Sequence, residues 1–107
     1  MGIIDFLKSK DINAGVKDFL NTENAVLLDV RTPEEYREVR IPKSINIPLD
    51  DLNKIITVIP KKSTPLFIHC HSGGRSGQAV VILKKMGYTN IRNIGGIMNY
   101  SGKKERG

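Results

Sequence analysis

One residue of this chain has a side chain suited to covalent catalysis through sulfur: Cys70, the single cysteine, at the end of Leu66-Phe67-Ile68-His69-Cys70. His71-Ser72-Gly73-Gly74-Arg75-Ser76 follow directly. A thiolate is a strong nucleophile, and nearby cations or a helix N-terminus favour its formation. Apolar residues at helical spacing begin just after Arg75, so the loop opens a helix whose N-terminus carries partial positive charge. Gly73 and Gly74 permit φ > 0, which lets a loop turn its N–H groups inward. Arg75 adds a planar cation and Ser76 a hydroxyl. A cysteine alone at a strand end reads as a small buried apolar residue. With this loop it reads as a nucleophile in an anion cradle, Cys70 acting and residues His71 to Ser76 binding.

Loop length separates two chemistries. Cysteine phosphatases use Cys-x5-Arg, a ring wide enough for tetrahedral phosphate. In this chain Cys70 and Arg75 bracket a shorter stretch, and the next position is Ser76, which has no guanidinium. The smaller ring suits a sulfur atom carried on Cys70. His69 and His71 flank the cysteine, but strand alternation turns both away from it. Two histidines and one cysteine are too few for a closed zinc site, so no metal or cofactor is expected. His71 is then an electrostatic tuner of the loop and His69 a core or supporting residue.

Several elements must position this loop. Residues 1–10 read as a short lead-in. Asn13 is positioned to cap a helix that buries Val16, Phe19 and Leu20 on one face. Ala25-Val26-Leu27-Leu28-Asp29-Val30 is a continuous apolar run, the pattern of a strand buried on both sides. Asp29 and Arg31 at its end can reach the same edge as Cys70 and brace the loop. Thr32-Pro33-Glu34-Glu35 has the form of a capping box with proline at the first helical position. Ser44 to Pro48 alternates like an edge strand, and Asp50 or Asp51 can cap a helix with Leu52, Ile55 and Ile56. From Arg75 to Met86, Ala79, Ile82, Leu83 and Met86 share a helical face, and Gly87 ends that helix. Asn90 to Ile94 is a last short strand, after which Gly95-Gly96 opens a loop. Alternating strands and helices imply one α/β domain with a mostly parallel central sheet flanked by helices on both faces. In such sheets ligands sit beyond the carboxyl ends of the strands, where Cys70 falls. The domain core spans about 12–100, and 101–107 reads as a mobile basic tail.

Composition bounds the partners. The 107 residues suit one domain. The net charge of +6 comes from scattered lysines and arginines, with no basic and aromatic stripe, so a nucleic-acid partner is not expected. No apolar run reaches membrane-spanning length, and the first residues lack the order of a secretory signal. A lone cysteine fits a reducing compartment, and the expectation is a cytoplasmic monomer.

Four stretches in order resemble the rhodanese, or sulfurtransferase, family in its single-domain form. They are Leu28-Asp29-Val30-Arg31-Thr32-Pro33-Glu34-Glu35-Tyr36, Ile41-Pro42 through Asn46-Ile47-Pro48, Cys70 through Ser76, and Gly95-Gly96-Ile97. The resemblance implies that Cys70 becomes a persulfide cradled by the amides of residues 71 to 75. It implies a small anionic sulfur donor such as thiosulfate and a thiol or cyanide acceptor, with a protein donor or acceptor as a further partner. A histidine and a glycine common around the Ile-Pro motif are Arg40 and Lys43 in this chain. At the active-site entrance these cations would favour an anionic donor; elsewhere they are solvated surface. A tryptophan frequent after the late Gly-Gly is Tyr100.

Three other classes share these residues. One is a persulfide carrier or protein-interaction module without efficient thiosulfate turnover. Another is a non-catalytic regulatory domain, against which the intact loop argues. The third is a cysteine phosphatase or arsenate reductase, against which loop length argues. Glu35 reads as a helix cap.

Overall fold

A computed structural model describes residues 11–107; the lead-in expected over 1–10 lies outside them. Four parallel strands form the centre: β1 (Val26–Asp29), β3 (Ser44–Asn46), β4 (Leu66–Cys70) and β5 (Ile91–Gly96). They lie in the order β3-β1-β4-β5, with Ser44 to Asn46 on the edge as its alternation suggests. Strand order reverses between β1 and β4, and Cys70 ends β4 at that switch point, where open parallel sheets bind ligands.

Alternation along the strands divides the core in two. Leu27 and Phe67 face helix α1 (Ile12–Leu20), packing with Ile12, Val16, Phe19 and Ile94. Leu28, Leu66, Ile68 and Cys70 face the other way, against Leu52, Ile55, Ala79 and Leu83. Ala79 and Leu83 belong to α4 (Gly74–Lys85). Fully burying a leucine such as Leu83 contributes about 1.5–3 kcal/mol. Sequence spacing puts Ile82 on the same face, but it is 37% exposed while Ala79 and Leu83 are fully buried. Helix α4 rests on the sheet along a narrower stripe, and Ser76 occupies part of it.

The start of α2 (Pro33–Glu38) follows its sequence pattern. The Thr32 side chain accepts from Glu35 N, and Glu35 Oε1 accepts from Thr32 N at 2.9 Å. Elsewhere the caps differ. Asp11, not Asn13, caps α1, accepting from the backbone of Asn13 and Ala14. Asn13 instead ties down the other end of the chain, donating to Asn99 O and accepting from Ser101 N. Neither Asp50 nor Asp51 caps a helix; both lie inside a 3₁₀ turn, Leu49–Lys54, that leads into the single turn of α3 (Ile55–Val58). Gly87 sits just past α4 with φ +100°, as a C-terminal glycine should.

Residues 101–107, expected to form a mobile tail, instead fold back. β6 (Glu105–Arg106) pairs antiparallel with β2 (Val39–Arg40), and Glu105 meets Arg40 at 3.5 Å. Strand pairing satisfies backbone groups and needs no apolar side chain, so composition did not reveal it. Lys43, where the family often carries glycine, has φ +72° in the tight connection between β2 and β3. That backbone suits glycine and strains lysine.

Candidate active site

Cys70 is 1% exposed, and its Sγ points into the loop that follows. Gly73 N–H donates to Sγ at 3.0 Å, and Ser76 Oγ lies 3.4 Å from it. Gly73 alone of the loop glycines has positive φ, +107°, and forms the N-cap of α4. Gly74, expected to share that conformation, is already the first residue of the helix. The turn therefore rests on one glycine.

Burial is the largest single influence on the Cys70 thiol and pushes its pKa up. Hydrogen bonds from Ser76 and from the Gly73 and Ser72 backbone together outweigh it, and the thiol lies below its ordinary value. Arg75 is not among the leading causes: its charge interacts with Cys70, but more weakly than with Glu35. Its Nη1 and Nη2 donate to Glu35 Oε1 and Oε2 at 2.7 and 3.0 Å. The cation expected to face the substrate is spent on an ion pair that joins the loop to α2. Glu35, read as a cap, is thus both cap and clamp.

Asn93, which sequence reasoning missed, is the loop's anchor on β5. Its Oδ1 lies 2.8 Å from Ser76 Oγ and accepts from Gly95 N, while Nδ2 donates to Gly73 O at 3.3 Å. The register between β4 and β5 shifts after Ile68, so that Ile68 pairs with Asn93 but His69 with Gly95. Such a bulge re-aims side chains beside it. Gly96 lies so close to the loop that a Cβ there would overlap the His71 carbonyl and Ser72 Cα. Asn in a short polar strand stretch carried no signal; the adjacent Gly95-Gly96 was the available clue.

Asp29 and Arg31 form a buried support one step removed. Arg31 Nε and Nη2 grip both carboxylate oxygens of Asp29, at 2.7–3.0 Å. Nη2 also donates to Val39 O at 2.7 Å, pinning the end of α2 whose Glu35 holds Arg75. Among the hydrogen bonds of the described residues, neither Asp29 nor Arg31 touches residues 71 to 76 directly. His69 pairs with Asp29 across β4 and β1, its Nε2 3.8 Å from Asp29 Oδ2. Burial holds the His69 pKa below the usual value despite the neighbouring carboxylate.

Arg40 stacks on Tyr36 and bonds the carbonyls of Tyr36 and Arg37. Lys43 borders a separate groove with Ile41 and Tyr100. Neither lines the cavity of about 350 Å³ that reaches His71. No group of three or more histidine, cysteine or acidic side chains suited to a metal occurs among the described residues. None of their helices is long and apolar enough to cross a membrane.

A parallel α/β sheet with a hydrogen-bonded thiol at its switch point defines a cysteine-centred domain. The Rhodanese-like domain family model matches residues 13–103, and the chain belongs to that family. Thiosulfate sulfurtransferase PspE of Escherichia coli (strain K12) is 40% identical over 81 residues, 75% of this chain and 78% of that protein. Thiosulfate:glutathione sulfurtransferase of Saccharomyces cerevisiae is 39% identical over 88 residues, covering 71% of this chain and 63% of that protein. A solved structure described as a rhodanese with anions from E. coli has a TM-score of 0.72 at 38% identity. It covers 78% of this chain and 99% of that one.

Proposed function

We propose that the protein is a sulfurtransferase that moves a sulfane sulfur from thiosulfate, or a persulfide donor, to a thiol or cyanide through a Cys70 persulfide. The observation that carries this reading is the Gly73 N–H at 3.0 Å from Cys70 Sγ, at the head of a helix N-terminus. The sulfurtransferase names of relatives at about 40% identity support it.

In the first half-reaction the Cys70 thiolate attacks the outer sulfur of thiosulfate. The sulfur–sulfur bond of the donor breaks, sulfite leaves with its electron pair, and Cys70 carries the outer sulfur. In the second, an acceptor thiolate or cyanide attacks that terminal sulfur and the electron pair returns to Cys70. Ser76 has one proton for three acceptors: Asn93 Oδ1, Gly73 O at 3.1 Å and Cys70 Sγ. With a thiol at Cys70, S–H donates to Ser76 and the hydroxyl proton goes to Asn93 or Gly73. With a thiolate or persulfide anion, the hydroxyl turns to the sulfur. The amides of residues 71 to 75 surround the bound sulfur, Arg75 stabilises the loop, and Asp29 and Arg31 hold α2 beneath it. The cycle requires no cofactor. We place the protein in the cytoplasm, where a single thiol stays reduced, acting as a monomer on small sulfur compounds.

Thiocyanate formation from thiosulfate and cyanide tests the activity. Wild type should turn over and Cys70→Ser should not; equal rates would sink the proposal. One sulfur bound without turnover would favour the carrier. Cys70-dependent hydrolysis of an aryl phosphate would favour the phosphatase.

A further inference from the structure

The Ser76 hydroxyl has one proton and three acceptors around it, and the residue is fully buried. Asn93 decides where that proton rests. Strand alternation turns Arg92 toward Asp18 of α1, at 2.7 Å, and Asn93 to the opposite face of β5, against the first turn of α4. Gly77 leaves room for it there: an added Cβ would stand 3.6 Å from Asn93 Nδ2.

Its neighbours fix which way the Asn93 amide points. Gly95 N–H can only donate and lies 3.0 Å away, so the atom facing it is the oxygen. Nδ2 then donates to Gly73 O at 3.3 Å. The same Oδ1 is 2.8 Å from Ser76 Oγ, and between those two oxygens the hydroxyl must be the donor. This is the shortest of the Ser76 contacts, with Gly73 O at 3.1 Å and Cys70 Sγ at 3.4 Å. While the hydroxyl donates to Asn93, the lone pairs of Oγ face the S–H of Cys70. When the hydroxyl swings to the sulfur, Oδ1 keeps the Gly95 N–H, so the release leaves no buried acceptor without a partner.

We propose that Asn93 is a positioning residue: it holds the Ser76 hydroxyl while Cys70 is a thiol and yields it to the sulfur when Cys70 becomes a thiolate. The thiol proton leaves to solvent, the hydroxyl proton stays on Ser76 and only rotates, and no covalent bond of Asn93 changes. The thiolate so stabilised is the attacking group of the first half-reaction and the leaving group of the second, so the inference rests on the sulfurtransferase reading. The charged groups nearby are otherwise engaged. Arg75 is held by Glu35, and Asp29 by Arg31, with His69 facing Asp29. Asp50, on the turn before α3, shares a small cleft with Arg75, and His71 borders the cavity beside Met98. Among the hydrogen bonds of the described residues, none of these side chains reaches Ser76 or Asn93.

The test reads the pH midpoint of iodoacetamide alkylation on the full chain, in which Cys70 is the single cysteine. Asn93→Ala removes the nearest competitor for the Ser76 proton. The midpoint should move down and the rate near pH 7 rise about threefold, the scale of one neutral hydrogen bond. Asn93→Leu, closer in volume, should do the same if the alanine variant fails to fold. Asn93→Asp holds the hydroxyl with a charged acceptor, and its rate should fall about tenfold. A plain loop anchor would instead move all these variants upward, as the donors to the sulfur lose their places. In Ser76→Ala, adding Asn93→Ala should leave the midpoint where it was. An upward or absent shift in the alanine and leucine variants, or a downward shift that persists without Ser76, overturns the role of Asn93. Thiosulfate loading with intact-mass measurement runs beside it. A wild type that gains no sulfur overturns the sulfurtransferase reading, while the alkylation midpoints still decide what Asn93 does to Ser76.

Discussion

Arg75 and Glu35 form a two-point ion pair, at 2.7 and 3.0 Å, between the loop after Cys70 and the cap of α2. The loop's guanidinium is thereby a structural tie, and the groups in hydrogen-bond contact with the sulfur are the Ser76 hydroxyl and the Gly73 amide. The pair also fixes a pH dependence.

The Arg75 hydrogen bond lowers the Glu35 pKa from 4.5 to about 2, against burial and with help from Thr32. A depressed carboxyl stabilises the fold above its unfolded pKa, and that contribution is lost as pH falls from 4.5 through about 2. Both side chains are about one-third exposed, so the pair contributes at most about 1 kcal/mol and the cap about 1 more. Glu35→Gln keeps an oxygen for the Thr32 amide, so it should cost at most about 1 kcal/mol in urea denaturation at neutral pH, and the gap should narrow near pH 3. A gap that stays constant with pH would contradict the assignment.

Ser76→Ala removes the leading hydrogen bond that lowers the Cys70 pKa. The pH midpoint of Cys70 alkylation by iodoacetamide should move upward. Near pH 7 the rate should fall about tenfold, the scale of one hydrogen bond to a charged group. An unmoved midpoint would show that Ser76 does not act on the sulfur.

Three glycine replacements should give three different results. Gly73→Ala forces a side chain into φ +107° and should cost about 1–2 kcal/mol. Gly96→Ala brings a Cβ into the backbone of His71 and Ser72, so it should destabilise more and displace the loop. Gly74→Ala meets nothing within 4 Å at the first helical position and should be neutral or stabilising by up to about 1 kcal/mol. Thermal melts rank them; a harmful Gly74→Ala would show that the loop turn extends one residue further.

The buried strands, the capping box and Gly87 were legible because each depends on neighbouring residues. The loop's length was legible too, and it directed attention to sulfur. The partner of Arg75 was not, because Glu35 lies 40 positions away and its local role already explained it. Asn93 was hidden because a bulge between β4 and β5 aims it. The last residues looked like a tail because backbone pairing leaves no trace in composition. Lys43 departs from glycine in the sequence itself, but only the fold shows its positive φ.

His69 should impose a second, separate pH dependence. Burial is the chief cause of its lowered pKa, opposed by Asp29 and the Cys70 carbonyl and reinforced by Arg31. The unfolded chain therefore takes up a proton as pH drops through about 6.5 while the folded chain resists, and stability falls with pH over that range. His69→Gln should flatten the change in urea midpoint between about pH 7.5 and about pH 5.5. Equal slopes for the two proteins would place the titration elsewhere.

The central claim is that Cys70 carries sulfur. Incubation with thiosulfate followed by intact-mass measurement should show wild type gaining one sulfur atom, removable by cyanide, while Cys70→Ser gains none. A wild-type mass unchanged by thiosulfate and by other persulfide donors, or an equal gain in Cys70→Ser, would contradict it.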